Sequence, residues 1–124
     1  PEQPLLPAVR MRPDGISFTI DPKAARDLFY QDCAPDIADR AVARLCPQAP
    51  APTNVAFHTT PALDALPRHY IRCMQDQTIP PAFQVTMTQD WPQKDVQEMA
   101  CGHSPFYADP TGLAQRLDNA IPRY

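Results

Sequence analysis

Glycine is scarce in this sequence, with three residues in 124, against 17 prolines. Proline fixes its own φ and removes a backbone donor, so this count excludes long uninterrupted helices. Short elements joined by stiff loops remain. Long apolar runs are absent too. No stretch approaches the roughly 20 residues that a membrane-spanning helix needs, so no membrane partner is expected. No secretory signal pattern opens the chain, which starts at Pro1 rather than Met. A cytoplasmic protein, starting at a processed or truncated end, is the expectation. Basic residues do not cluster and the formal net charge is −3, which argues against nucleic acid as a partner. The four cysteines, Cys33, Cys46, Cys73 and Cys101, form no C-x-x-C pair, and no histidine pair stands at zinc-finger spacing. A metal site is therefore not expected, and buried free thiols are.

What is present is an ordinary apolar fraction, 44% hydrophobic with 20% charged, enough for one small globular unit with a core. Two rhythms divide it, over residues 1–66 and 67–124. In the first, a Pro-Asp-Gly turn at Pro13-Asp14-Gly15 separates two strand-like runs, and polar and apolar residues alternate from Ser17 to Ile20. This predicts a small hairpin. Asp21 before Pro22 is a helix start, so a short helix follows over about 22–30 with Ala25, Leu28 and Phe29 on one side. Ile37, Ala38, Ala41, Val42 and Leu45 recur at helical spacing and predict a second helix over about 35–45. The proline-rich stretch 47–67 reads as loop.

The second region predicts a strand in "HYIRCM", a helix of about three turns in "PAFQVTMTQDW" and a strand in "DVQEMA". The loop "CGHSPFYADP" and an amphipathic helix over 111–121, with Leu113, Leu117, Ala120 and Ile121 on one face, complete it. Strand, helix, strand, helix in alternation signals an α/β fold with parallel strands. Two parallel strands cannot make a stable sheet alone, because a parallel strand wants neighbours and cover on both faces. The region is expected to be the edge of a larger sheet.

In doubly wound sheets functional groups gather at the carboxyl ends of strands. Asp76 follows the first strand and His103 the second. One right-handed crossover brings both loops to the same end of adjacent strands. A carboxylate there can accept the imidazole N–H, fix its tautomer and stabilise its charged form. Other uses of these residues stand beside this one: a histidine after a glycine often only fills a turn, and an aspartate at Asp76 can cap the next helix. His58 and His69 lack such a context and are expected to be structural or exposed. Cys73 and Cys101 lie near the two loops, where a reactive thiol is weighed against simple packing.

The stretches "HYIRCMQDQTIPPAFQ" and "VQEMACGHSPFYADPTGLAQRL" resemble the α/β-hydrolase fold, in the branch of small esterases that includes plant methylesterases and hydroxynitrile lyases. The matching motifs are D-x-x-I-P at Asp76-Gln77-Thr78-Ile79-Pro80 and G-H-S-P at Gly102-His103-Ser104-Pro105. "SFTIDPKAARDLFYQDC" resembles the lid of bacterial members. The resemblance implies the C-terminal part of a doubly wound α/β-hydrolase sheet plus a lid (cap) segment, incomplete alone. It assigns the lid to 1–66 and the core part to 67–124. It implies Asp76 as the acid and His103 as the base, with no metal or organic cofactor. The family's nucleophile is a serine in a G-x-S-x-G elbow, and neither Ser17 nor Ser104 stands in one. The nucleophile and the oxyanion donors are then expected on an N-terminal half, a separate chain bound noncovalently.

Phe18, Leu28, Phe29 and Tyr30 are expected either to line an acyl or alcohol pocket or to form lid core. Hydroxynitrile lyases of the branch carry a lysine directly after the histidine. Ser104 stands there instead, which favours hydrolysis of a small carboxylic ester. Two other readings remain at this point: a non-catalytic ligand-binding module of the same shape, and a small α/β domain that folds independently.

Overall fold

A computed structural model describes residues 3–121. The outer ends of the two expected regions, residues 1–2 and 122–124, lie outside the described residues.

The first strands, β1 (Val9–Met11) and β2 (Phe18–Ile20), pair antiparallel with Val9 opposite Ile20. Gly15 supplies the positive φ of 69° that the connecting turn needs. Asp14 accepts from the backbone N–H groups of Ile16 and Ser17 and from the Ser17 hydroxyl, the last at 2.6 Å. Helix α1 (Pro22–Phe29) starts as its sequence demands: the Asp21 carboxylate accepts from the Ala24 N–H at 3.0 Å and Pro22 sits in the first turn. Helix α2 (Pro35–Ala43) ends two residues earlier than the spacing predicted. Tyr30, Ala38 and Ala41 form a buried cluster joined by Phe29, Cys33, Val42 and Tyr107. Small alanines let α1 and α2 approach closely, and Arg26 pairs with Asp39 at the surface between them.

The proline-rich stretch contains more structure than a plain loop. It holds a turn of 3-10 helix at Ala51–Thr53 and a four-residue helix α3 (Pro61–Asp64), whose first turn is capped by Thr60. Strand β3 (Tyr70–Cys73) follows, then helix α4 (Pro81–Met87), strand β4 (Val96–Met99), helix α5 (Pro105–Ala108) and helix α6 (Pro110–Ala120). β3 and β4 pair in parallel with Tyr70 opposite Val96 and Cys73 opposite Met99, in a sheet of two strands.

Two expectations need correction. Helix α4 is seven residues long, not three turns. The Thr88 hydroxyl donates to the Gln84 carbonyl at 2.8 Å and accepts from the Arg72 guanidinium, which holds Thr88 as the end of the helix. The "CGHSPFYADP" loop carries the short helix α5. The apolar face expected of α6 is only partly covered: Leu113 and Ala120 are half-buried, while Leu117 and Ile121 are exposed.

Candidate active site

The hydrogen-bond ladder between β3 and β4 continues past both strands. Met74 N–H donates to the Met99 carbonyl, and Gln75 N–H to the Cys101 carbonyl, each at 2.9 Å. Register is thereby carried to the residue before Asp76 and to within two residues of His103. His103 Nδ1 lies 3.0 Å from Asp76 Oδ2 and 3.2 Å from Oδ1. A carboxylate only accepts, so the proton of this contact sits on Nδ1 and leaves Nε2 to take another. The side chain of Asp76 is 5% exposed and that of His103 32%. One member is an anchor and the other reaches solvent.

Asp76 does not cap α4, whose N-cap is Pro80. Its Oδ1 instead accepts from the Thr78 N–H at 2.7 Å and the Ile79 N–H at 2.9 Å, an Asx-turn that folds the acid loop around it. Burial pushes the carboxyl's pKa up, but the bonds from His103, Ile79 and Thr78 and the His103 charge outweigh it. The net position is below the ordinary value. The acid is thus held ionised beside the imidazole.

Gln84, 2% exposed, locks this loop from behind. Its Oε1 accepts from the Cys73 N–H at 2.9 Å, and its Nε2 donates to the Ile79 carbonyl at 2.7 Å and to Asp76 Oδ2 at 3.2 Å. Sequence reasoning missed it, since a glutamine inside a helix carries no motif. It also missed Gln31, Asp32 and Thr78. Gln31 donates to the Gln75 carbonyl at 2.8 Å, and Asp32 accepts from the Gly102 N–H at 2.5 Å. The Thr78 hydroxyl donates to the Leu28 carbonyl at 2.9 Å.

A cleft of about 750 Å³ opens beside His103. Phe18, Phe29, Ile79, Phe83 and Met87 line it, and among the described residues no aspartate, glutamate, lysine or arginine does. The Phe29 ring stands 5.3 Å from the imidazole. Two of the expected pocket residues, Phe18 and Phe29, are therefore on the cleft. Leu28 is not: one step along a helix turns a side chain by about 100°, so with Phe29 on the cleft Leu28 faces elsewhere. Tyr30 belongs to the buried cluster with Ala38 and Ala41. His58 is exposed, and His69 Nδ1 lies 3.9 Å from Asp95.

Neither serine presents a nucleophile to the imidazole. Ser17 is bonded to Asp14 in the hairpin turn, and Ser104 is 3% exposed at the start of α5. The thiols are no substitute. Burial, with the adjoining Cys73 thiol, pushes Cys101 up to about 12, and burial raises Cys73 as well, so both stay protonated near neutral pH. All four cysteines are unpaired. They are not all buried as expected: Cys46 is exposed and Cys33 and Cys73 are half-buried. Among the described residues, no three His, Cys, Asp or Glu side chains gather where they could hold a metal ion. No helix among them is long and apolar enough to cross a membrane.

A parallel strand pair with an acid and a histidine just past the strand ends fits one flank of an α/β-hydrolase sheet. By sequence the chain belongs to the alpha/beta hydrolase family, which it matches over residues 1–116. A curated relative, the alpha/beta hydrolase nvfD of Aspergillus novofumigatus (strain IBT 16806), is 28% identical over 114 residues, covering 88% of this chain and 44% of that protein. Polyneuridine aldehyde esterase superposes with a TM-score of 0.77 at 19% identity, covering 98% of this chain and 51% of that one. A pyrethroid hydrolase from Sphingobium faniae JZ-2 superposes with a TM-score of 0.73 at 21% identity, covering 94% and 48%. At such identities the superpositions carry the fold alone. The chain spans about half the length of these relatives.

Proposed function

We propose that this chain supplies the acid, the base and the lid of a serine carboxylesterase for a small, uncharged, apolar ester. In this reading the serine and the oxyanion donors lie on an N-terminal segment of the same hydrolase. The observation that carries it is the Asp76–His103 contact at 3.0 Å, opening on a cleft whose described lining includes no charged side chain.

The chemistry follows from that geometry. The serine hydroxyl attacks the ester carbonyl, and His103 Nε2 takes its proton as the C–O bond forms. Asp76 holds the imidazole by Nδ1 and stabilises the imidazolium. Collapse of the tetrahedral adduct breaks the bond to the alcohol, which leaves with the proton from Nε2. A water molecule then repeats the sequence on the acyl-enzyme, releasing the carboxylic acid and restoring the serine. An apolar wall of Phe18, Phe29, Phe83 and Met87 favours an uncharged substrate, because a charge placed there has no partner. Ser104 in place of lysine after the histidine supports hydrolysis over cyanohydrin cleavage.

The test is made on the assembled enzyme with p-nitrophenyl esters of graded acyl length. His103→Ala is expected to lower kcat by about 10⁴ or more, and Asp76→Asn by about 10⁴, with KM little changed. Turnover within tenfold of the unaltered enzyme would refute the assignment. A second reading is a non-catalytic ligand-binding module of the same shape. The residue in the elbow of the complementary segment separates the two: serine supports the esterase, a non-nucleophile the binding module.

A further inference from the structure

We infer that the turn ending the lid helix, Gln31 with Asp32, is a clamp that positions the Asp76–His103 pair. The inference rests on the esterase reading for its kinetic consequence but not for its geometry. Gln31 holds the carbonyl of Gln75, directly before the acid, at 2.8 Å. Asp32 holds the N–H of Gly102, directly before the base, at 2.5 Å. Two neighbouring residues thus grip the peptide group that joins Gln75 to Asp76 and the one that joins Cys101 to Gly102, a single residue before His103. The Thr78 hydroxyl, two residues past the acid, closes the same joint by donating to the Leu28 carbonyl of α1.

Three features set this apart from ordinary packing. Gln31 and Asp32 are exposed, so neither fills a core. Their bonds span 44 and 70 residues of chain and land on both loops rather than on one. Gly102 is small for their sake. Gly15 is the glycine with positive φ, so Gly102 is not required by backbone conformation. A Cβ on Gly102 would instead run into the Gln31 amide and stand 2.7 Å from Asp32 Oδ1. The space that a side chain would take is occupied by the clamp.

A carboxylate accepting from a backbone N–H makes a short, strong bond. It resists the small displacements of His103 to which a proton relay is sensitive. Gln31 and Asp32 are positioning residues: they act through the loops and touch no reacting atom.

The experiment compares Asp32→Ala, Asp32→Asn, Gln31→Ala and Gly102→Ala in the assembled enzyme, with kcat and KM for a p-nitrophenyl ester and the low-field proton resonance of His103 Nδ1–H as readouts. Asp32→Ala is expected to lower kcat about tenfold to a hundredfold, with KM changed less than about twofold, and to shift or broaden the resonance. Asp32→Asn retains an oxygen that accepts from Gly102 and is expected to recover most of kcat. Gly102→Ala, which pushes the clamp aside, is expected to resemble Asp32→Ala. Should Asp32→Ala fail to fold, Gly102→Ala and Gln31→Ala decide the matter by the same two readouts. An unmoved resonance and unchanged kcat in the alanine variants would overturn the clamp, as would an Asn variant as impaired as the Ala variant. If His103→Ala leaves turnover intact, the esterase reading fails while the resonance still reports on the clamp.

Discussion

At the scale of single residues, the pair is held by unequal means. The His103 side chain hydrogen-bonds to Asp76 and otherwise lies against the Phe29 ring, whereas Asp76 receives His103, two backbone N–H groups and Gln84. This asymmetry has a pH signature. The folded-state pKa of Asp76 lies below its ordinary value of 3.8. A depressed carboxylate contributes stability that is fully present above the unfolded pKa and lost as pH falls through the folded one. The stability difference between the native chain and Asp76→Asn is therefore expected to be level above about pH 5 and to shrink steadily below about pH 4. Thermal unfolding of both proteins between pH 7 and pH 2 would show it, and a difference that persists undiminished at pH 2 would contradict it. Asp76 and His103 were legible in the sequence because each closes a strand in a recognisable local pattern. Gln84, Gln31 and Asp32 were not: their roles depend on residues 8 to 70 positions away meeting in space, and no local spacing records that.

At the scale of elements, the start signals were read more surely than the stops. Asp21 before Pro22 caps α1 as its sequence predicts, whereas Asp109 before Pro110, which accepts from the Gly112 N–H at 2.9 Å, caps α6 one residue ahead of the start expected at Thr111. Both are contained in four residues of sequence. The end of α4 is set by Thr88 and Arg72, sixteen residues apart, and so was placed too late. Helix α1 carries Phe29 to the cleft and is followed by the turn that holds Gln31 and Asp32. Asp21→Ala is expected to destabilise the chain by about 1 kcal/mol through loss of the cap. Urea unfolding midpoints measure this, and a change below about 0.3 kcal/mol would mean that tertiary packing alone holds the helix start.

At the scale of the whole molecule, much apolar surface faces outward. Phe83, Val85 and Met87 on α4 are each more than 40% exposed, and Leu117 and Ile121 near the chain's end 51% and 64%. A two-stranded parallel sheet with such helices beside it has the composition of an interior and the exposure of a surface. The sequence made this legible through a simple count, two parallel strands where a stable sheet needs more. The chain by itself is expected to bind the dye ANS strongly, and the complementary segment to suppress that binding on assembly. Weak ANS fluorescence from the chain alone would argue that these faces are satisfied without a partner.

The ladder that runs on through Met74 and Gln75 has a kinetic meaning. A strand can slip only by whole residues, about 3.3 Å at a time, and an odd slip turns every side chain to the opposite face. No small slide of β4 along β3 can therefore displace His103; the small displacements open to it lie in the two residues beyond Cys101, where Asp32 holds the Gly102 N–H. Strand register is lost all at once, when β3 and β4 part.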